Sequence, residues 1–306
     1  FMMRKVRRNE RPFGGTQVLF IGDLLQLPPV VKNEEWEMLK NYYRGMFFFH
    51  SHIIQQYPPL YIELDKIFRQ TDSEFIDVLN NLRHNKITSV DVQLLNQFVQ
   101  PDFDLKKNKG FIILTTHNSK ADTINAKSLE DLEGKQFTYL PEITADFPEK
   151  IYPLEEKLQL KVGAQVMFIK NDLNFEKQFF NGKMGVISSL TEKEIFVHFP
   201  EENKTIEVER YEWQNIRYKV NENTKEIEEE FIGTFVHYPI KLAWAITVHK
   251  SQGLTFEKAA LDVSQVFAPG QAYVALSRLR SLKGLILLSP LRMNGISSDE
   301  EVLNYA

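Results

Sequence analysis

Cysteine is absent from the 306 residues. This excludes disulfides, thiolate metal sites and cysteine nucleophiles, and it fits a reducing, intracellular setting: the cytoplasm, or the nucleoid of a bacterium. Long apolar runs are absent too. No stretch of about 18 apolar residues and no secretory leader pattern occurs, so neither a membrane span nor export is expected. The seven histidines lack the H-E-x-x-H spacing or any similar ligand pattern, so no metal set is predicted. A basic excess is missing as well, since 37 Lys and Arg face 41 Asp and Glu for a net charge of -4. That weighs mildly against a nucleic-acid binder, although a channel can concentrate basic and aromatic contacts beneath an acidic outer surface. Two phosphate-chemistry signatures are also lacking. No G-x-x-x-x-G-K-[ST] loop occurs, and no Asp-Glu pair follows an apolar strand run; Asp299-Glu300 has no strand before it.

What the chain has is 43% hydrophobic residues, ordinary for a globular protein of about two domains. Its organising stretch runs from Ala243 to Leu288. An apolar run ends in a polar knot of Thr247, His249, Lys250, Ser251, Gln252 and Gly253; a strand is predicted over Ala259 to Val263; a second apolar run ends at Ser277 and Arg278. Knots of this kind at the ends of buried elements are where α/β proteins hold phosphates and sugars. Gly253 lets backbone N–H groups approach an anion, and Arg278 is expected to project from a packed helix towards a cleft. Taken singly, each residue reads as a solvated helix end.

The remaining segments alternate in character. Arg4, Lys5, Arg7, Arg8 and Arg11 read as a solvated helix face leading to a turn at Pro12 to Gly15, and Phe1 and its neighbours read as the tail of a helix rather than a domain start. TQVLFIG (16–22) predicts a strand buried on both faces, followed by a loop with Gln26, Pro28 and Pro29. Helices are expected over Glu34 to Tyr43 and Phe47 to Gln56, with Phe47, Phe48 and Phe49 as core. Tyr61 to Leu64 is a strand candidate before Phe68-Arg69-Gln70. Asp72 to Arg83 is an amphipathic helix with Asp72 or Ser73 as N-cap, and Val90 to Val99 is another. Phe111 to Leu114 is a strand before Thr115, Asn118 and a helix containing Ala121, Ile124 and Asn125. A strand-end Thr and Asn suit a nucleic-acid backbone, while helix capping explains Asn118 equally well. From Leu158 to Tyr238 short alternating runs, with turns at Asn181-Gly182 and Pro200 to Asn203, predict a small antiparallel barrel or sandwich, with a charged hairpin tip or flexible loop at 221–230.

T-x-H-K-S-Q-G followed by Y-V-A-L-S-R resembles motifs V and VI of superfamily one helicases, in the branch of the Pif-one and RecD-like enzymes. GGTQVLFIGDLLQLPPV resembles motif III, with Leu24 where the family usually has an aromatic residue. RKVRRNERPFGG resembles the end of the family's signature segment, F-R-Q motif IV, and L-T-T-H-N with a later I-N the opening of the second motor domain. LKVGAQVMFIKND with NGKMGVI resembles the first strands of an inserted SH3-like domain. The resemblance implies an α/β fold of RecA-like P-loop NTPase helicase motor domains carrying an SH3-like β-barrel. The first motor domain is incomplete (1–60), the second starts at 61–157 and resumes at 239–306, and the insertion spans 158–238.

The same resemblance implies ATP and Mg2+ as cofactors of the full-length protein, and single-stranded DNA and duplex junctions as partners, with 5'-to-3' movement. Gln26, Arg69 and Arg278 become catalytic, and Gln252 and Gly253 join them around the nucleotide, although an isolated Arg such as Arg69 is more often a surface residue. Thr115, Asn118, Thr247, His249, Lys250, Ser251 and Pro28 become candidate DNA contacts. The missing phosphate loop and Mg2+-holding carboxylates imply a helicase portion that binds single-stranded DNA, binds no cofactor tightly and does not hydrolyse ATP. Two alternatives stand beside this: an ATPase-silent nucleic-acid-binding module derived from a helicase, and a protein-interaction role for the β-region. RNA is a weaker rival as the track.

Overall fold

The computed structural model describes residues 2–174, 176–221, 223–224, 226–262, 270–292 and 299–305. Its helices are α1 (Met2–Arg7), α2 (Asn33–Leu39), α3 (His52–Gln56), α4 (Ser73–Arg83), α5 (Ser89–Asn96), α6 (Asn118–Glu130), α7 (Gln271–Leu276) and α8 (Glu300–Tyr305). The strands are β1 (Ile112–Thr115), β2 (Phe137–Tyr139), β3 (Glu142–Ala145), β4 (Leu158–Leu160), β5 (Gln165–Phe168), β6 (Met184–Leu190) and β7 (Ile195–Phe199). They continue with β8 (Lys204–Glu207), β9 (Tyr211–Val220), β10 (Ile227–His237), β11 (Ile240–Leu242), β12 (Ala245–Thr247), β13 (Ala259–Leu261) and β14 (Leu285–Leu287).

Four strands form a parallel sheet in the order β12-β1-β13-β14. Their residues are apolar at nearly every position because both faces of the sheet are covered. On one face α4 contributes Phe75, Val78, Leu79 and Leu82 to a core shared with Leu114, Leu261 and Leu287. This helix starts where Asp72 caps it, its carboxylate accepting from the backbone N–H of Glu74 (3.1 Å) and Phe75 (3.4 Å). On the other face α6 covers β12, the outer strand. Asn125 exchanges two 2.9 Å hydrogen bonds with the backbone of Ala245, standing in for the strand that this edge lacks.

Between α6 and β12 the chain forms antiparallel sheets in the orders β11-β5-β6-β7-β8, β3-β10-β9 and β2-β4. The pairing of β2 with β4 and of β3 with β10 draws in residues before 158, and β11 extends it past 238. Phe168, Phe199, Val166 and Ile195 build a separate core here. Gln165 fastens this region to the parallel sheet, its amide donating to the carbonyls of Phe111 and Ala243, both at 2.8 Å. The long β9–β10 hairpin turns at 221–226, where residues 222 and 225 lie outside the described set.

Several expected elements differ. Residues 16–22 and 61–64 are not strands but irregular chain, with Ile21 88% and Leu64 88% exposed. Their apolar pattern is intact, yet no described segment offers them a ladder, and backbone pairing is what makes a strand. Phe47 to Gln56 is not one helix: a 3-10 turn over Phe48–His50 stops at Ser51, whose extended backbone and hydroxyl cap α3. The helices expected to reach Tyr43 and Val99 end at Leu39 and Asn96. The strand expected over Ala259 to Val263 ends at Leu261, and Val263 lies outside the described residues. Asn118 is the first residue of α6; the capping position belongs to His117.

Candidate functional site

Three separated stretches meet around the loop after residue 22. Gln26 closes a turn on Asp23, its backbone N–H donating to the Asp23 carbonyl and its side-chain Nε2 to Asp23 Oδ2, both at 3.2 Å. Leu25 pins the turn in a small apolar cluster with Phe49, Ile54 and Val302. The loop lies directly on the residue before α7. A Cβ at Gly270 would sit 2.2 Å from the Gln26 carbonyl oxygen, and φ there is +76°, so glycine is required on both counts. From the other side Gln252 Nε2 donates to Gln26 Oε1 at 3.4 Å.

Beside this pair lie two guanidinium groups. Arg69 donates from Nε to Thr255 Oγ1 at 3.0 Å and from Nη1 to the Ser277 carbonyl at 2.9 Å. Its neighbour Gln70 bonds the carbonyls of Ser277 (3.2 Å) and Leu279 (2.8 Å), fixing the start of α4 against the end of α7. Arg278 is only 2% exposed. It donates to the carbonyls of Val274 (2.9 Å) and Leu254 (3.5 Å) and to Ser277 Oγ (2.8 Å). Among the described residues no carboxylate forms an ion pair with either arginine. Burial, and then repulsion from Arg69, pulls Arg278 down to about 10; burial also lowers Arg69. Arg278 is buried and Arg69 half-buried; the two cations repel each other, Asp23 offsets this at Arg278 without forming an ion pair, and an anion would stabilise the pair.

Asp23, Tyr273 and Arg83 complete the cluster. Tyr273 donates its hydroxyl to Asp23 Oδ2 at 3.4 Å, and Arg83 sits 3.6 Å from Asp23 Oδ1 and 2.9 Å from Glu63 Oε1. Burial, then Asp23, raises the Tyr273 pKa. Burial alone would lower Arg83, but Asp23 and Glu63 outweigh it and its pKa is raised. Sequence reasoning gave these three no role. Asp23 and Tyr273 were within reach, standing inside the GDLLQ and YVALSR stretches, whereas nothing in the sequence marks Arg83 beyond its place in the last turn of α4.

The strand-end group is placed differently. Thr115 and Thr247 pair across β1 and β12 and are buried, as is Ser251. Thr247 Oγ1 accepts from the Lys250 N–H at 3.3 Å and Ser251 Oγ donates to the Val248 carbonyl at 2.7 Å, so both hydroxyls shape the turn holding His249 and Lys250. Lys250 and Asn118 are exposed; His249 and Pro28 are half-buried. Gly253 has φ +80° with open space where a Cβ would stand. Burial, then the charge of Lys250, lowers the Lys241 amine on β11 to about 8, with Glu155 acting the other way. Gln252 therefore joins the two groups: Lys250 lies two residues before it and Gln26 faces it.

The donor set suits the terminal phosphate of a nucleotide. It does not suit Mg2+: among the described residues no three His, Asp or Glu cluster to hold a metal, and Asp23 is taken by Gln26, Tyr273 and Arg83.

A parallel sheet with glutamines and arginines gathered at the ends of its elements fits a RecA-like helicase motor. Residues 1–93 match the family model described as PIF1-like helicase. Human ATP-dependent DNA helicase PIF1 is 32% identical over 99% of this chain, and the chain spans 45% of its length. The structure of unliganded Pif1 from a Bacteroides species is 40% identical with a TM-score of 0.85, covering 99% of this chain and 70% of that one. The Bacteroides Pif1 complex with ADP-AlF3 and ssDNA, also 40% identical, gives 0.72 over 99% of this chain and 69% of that one. The chain belongs to the Pif1 family of helicases.

Proposed function

We propose that the chain is the phosphate-sensing and strand-holding portion of an ATP-dependent DNA helicase that moves 5'-to-3' on single-stranded DNA and opens duplex at junctions. The observation that carries this is the Arg69–Arg278 pair, in no ion pair among the described residues and set beside Gln26 and Gln252. A loose phosphoryl transition state spreads negative charge over its oxygens, and fixed guanidinium groups stabilise it. Gln26 senses the terminal phosphate, and Gln252 with Gly253 transmits its presence to the turn holding His249 and Lys250. Those two and Asn118 touch the strand, Pro28 stiffens the loop beside it, and the buried Thr115, Thr247 and Ser251 set the turn's shape. The likeness to a relative solved with ADP-AlF3 and ssDNA supports both halves of this reading.

In this reading residues 1–60 are the later part of the first motor domain, 61–157 and 239–306 hold the second, and 158–238 hold an SH3-like insertion whose sheets also take in β2 and β3 before it and β11 after it. ATP and Mg2+ are cofactors of the full-length, intracellular protein. Because this chain carries no phosphate loop and no Mg2+-fitting carboxylates, the chain alone binds single-stranded DNA and does not turn over ATP. ATP hydrolysis with and without single-stranded DNA is the test, on this polypeptide and on a form extended before residue 1. Turnover by the extended form alone supports the proposal. Turnover by this polypeptide refutes its dependence on an outside phosphate loop, and failure of both forms favours an ATPase-silent DNA-binding module.

A further inference from the structure

Asp23 lies in the first stretch of the chain, yet two of its partners belong to helices packed on the parallel sheet. Oδ2 receives Gln26 Nε2 at 3.2 Å and the Tyr273 hydroxyl of α7 at 3.4 Å; Oδ1 receives the Leu25 N–H at 3.2 Å and faces Arg83 of α4 at 3.6 Å. One carboxylate therefore ties the Gln26 turn to both helices. It also decides which way the Gln26 amide points. With Nε2 held by Asp23, Oε1 is left facing Gln252 Nε2 at 3.4 Å. Without the carboxylate the amide is free to rotate, and a flipped amide would set one NH2 against another across the gap to Gln252.

We propose that Asp23, held by Tyr273 and Arg83, is a positioning residue that makes the orientation of Gln26 depend on the docking of the 16–26 segment against α4 and α7. Gln26 is then poised to sense phosphate only when the two halves of the site are together. The geometry also explains why an aspartate suits the position better than an asparagine. An amide in its place has one acceptor oxygen and would turn an NH2 towards either Arg83 or the Gln26 amide nitrogen. The inference rests on the motor reading above, because it assigns a task to Gln26.

Two readouts test it. The chain has no cysteine, so nitroxide labels on Leu19→Cys and Lys283→Cys report the docking of the 16–26 segment without any hydrolysis. A single narrow distance is expected for the parent, and a broad distribution for Asp23→Asn and for Tyr273→Phe, the latter being the milder change should Asp23→Asn fold poorly. Parent-like distances in both variants overturn the proposal. In the upstream-extended form, Asp23→Asn is expected to lower kcat about tenfold, the worth of one charge-assisted hydrogen bond, with the KM for ATP unchanged. It should add no further loss in a Gln26→Ala background, since it acts through that side chain. An unchanged kcat, or a full extra loss in that background, overturns positioning even if docking loosens. A parent that hydrolyses nothing counts against the motor reading instead, and the distance measurement then decides on the bridge alone.

Discussion

VLFIG at 18–22 and FIILT at 111–115 are nearly interchangeable as sequence, and they end in opposite surroundings. In the second, Ile112 and Leu114 are fully buried in a strand flanked by β12 and β13. In the first, Leu19 and Ile21 are among the most exposed apolar residues of the chain. Composition and pattern set the capacity to form a buried parallel strand. Neighbours with free ladders turn that capacity into structure, and a run of apolar residues without them remains irregular chain.

The contrast can be broken or sharpened by mutation. The largest effect is expected for Leu114→Asp, which buries an unpaired carboxylate between two strands; a loss of more than about 4 kcal/mol should abolish cooperative unfolding in urea. Next comes Arg278→Ala in the upstream-extended form. ATP turnover should fall by about 10³-fold or more, as for an arginine finger, with single-stranded DNA binding by fluorescence anisotropy retained. A smaller effect is expected from pH in the antiparallel region. Burial, then the nearby Arg210 charge, depresses His237 from its ordinary 6.5 to about 4. The unfolded chain therefore takes up the proton first. Stability should be complete above about pH 6.5 and decline as pH falls towards 4, by roughly 3 kcal/mol in all, and His237→Phe should flatten that slope in urea titrations.

Asn125→Ala, removing both bonds to the edge strand, should cost about 2 kcal/mol by thermal unfolding. The smallest effect belongs to Ile21→Asp, within about 0.5 kcal/mol of the parent. If Ile21→Asp instead destabilised the chain as much as Leu114→Asp, residues 18–22 would be packed in solution and the contrast would collapse.

Strands β1 and β13 and helices α4 to α6 were legible because each carries its own instructions, whereas β12 and β14 were not assigned as strands. Asp72 and the spacing of Phe75, Leu79 and Leu82 specify a capped amphipathic helix, and Ile112 to Leu114 are apolar without a break. The run of charges at 221–230 marked the hairpin between β9 and β10, although residues 227–230 already belong to β10. Residues 16–22 and 61–64 were misread because their structure depends on partners the local sequence does not name. The site divides the same way. Gln26, Arg69, Gln252 and Arg278 stand in recognisable motif stretches, and the fold brings them together. That Thr115, Thr247 and Ser251 face inward could not be read, because burial at a strand end depends on what lies across it. Arg83 carries no local mark at all; only the packing of α4 against the Gln26 turn brings it to Asp23.

The seating of α8 against Phe49 has a consequence for the order of folding. Tyr305 stacks on Phe49 at 4.3 Å, Glu301 reaches His50 at 3.3 Å, and Val302 closes the cluster that holds Leu25. During synthesis α8 leaves the ribosome after every other element described, about 275 residues behind the turn it supports. The parallel sheet and the antiparallel region can each settle on contacts already available, whereas the Leu25 cluster beneath the Gln26 turn lacks Val302 and Tyr305 until then. The Gln26 turn is therefore completed only once α8 is in place, and a ribosome stalled before Glu300 should display a folded sheet and a looser, more protease-sensitive 23–54 segment.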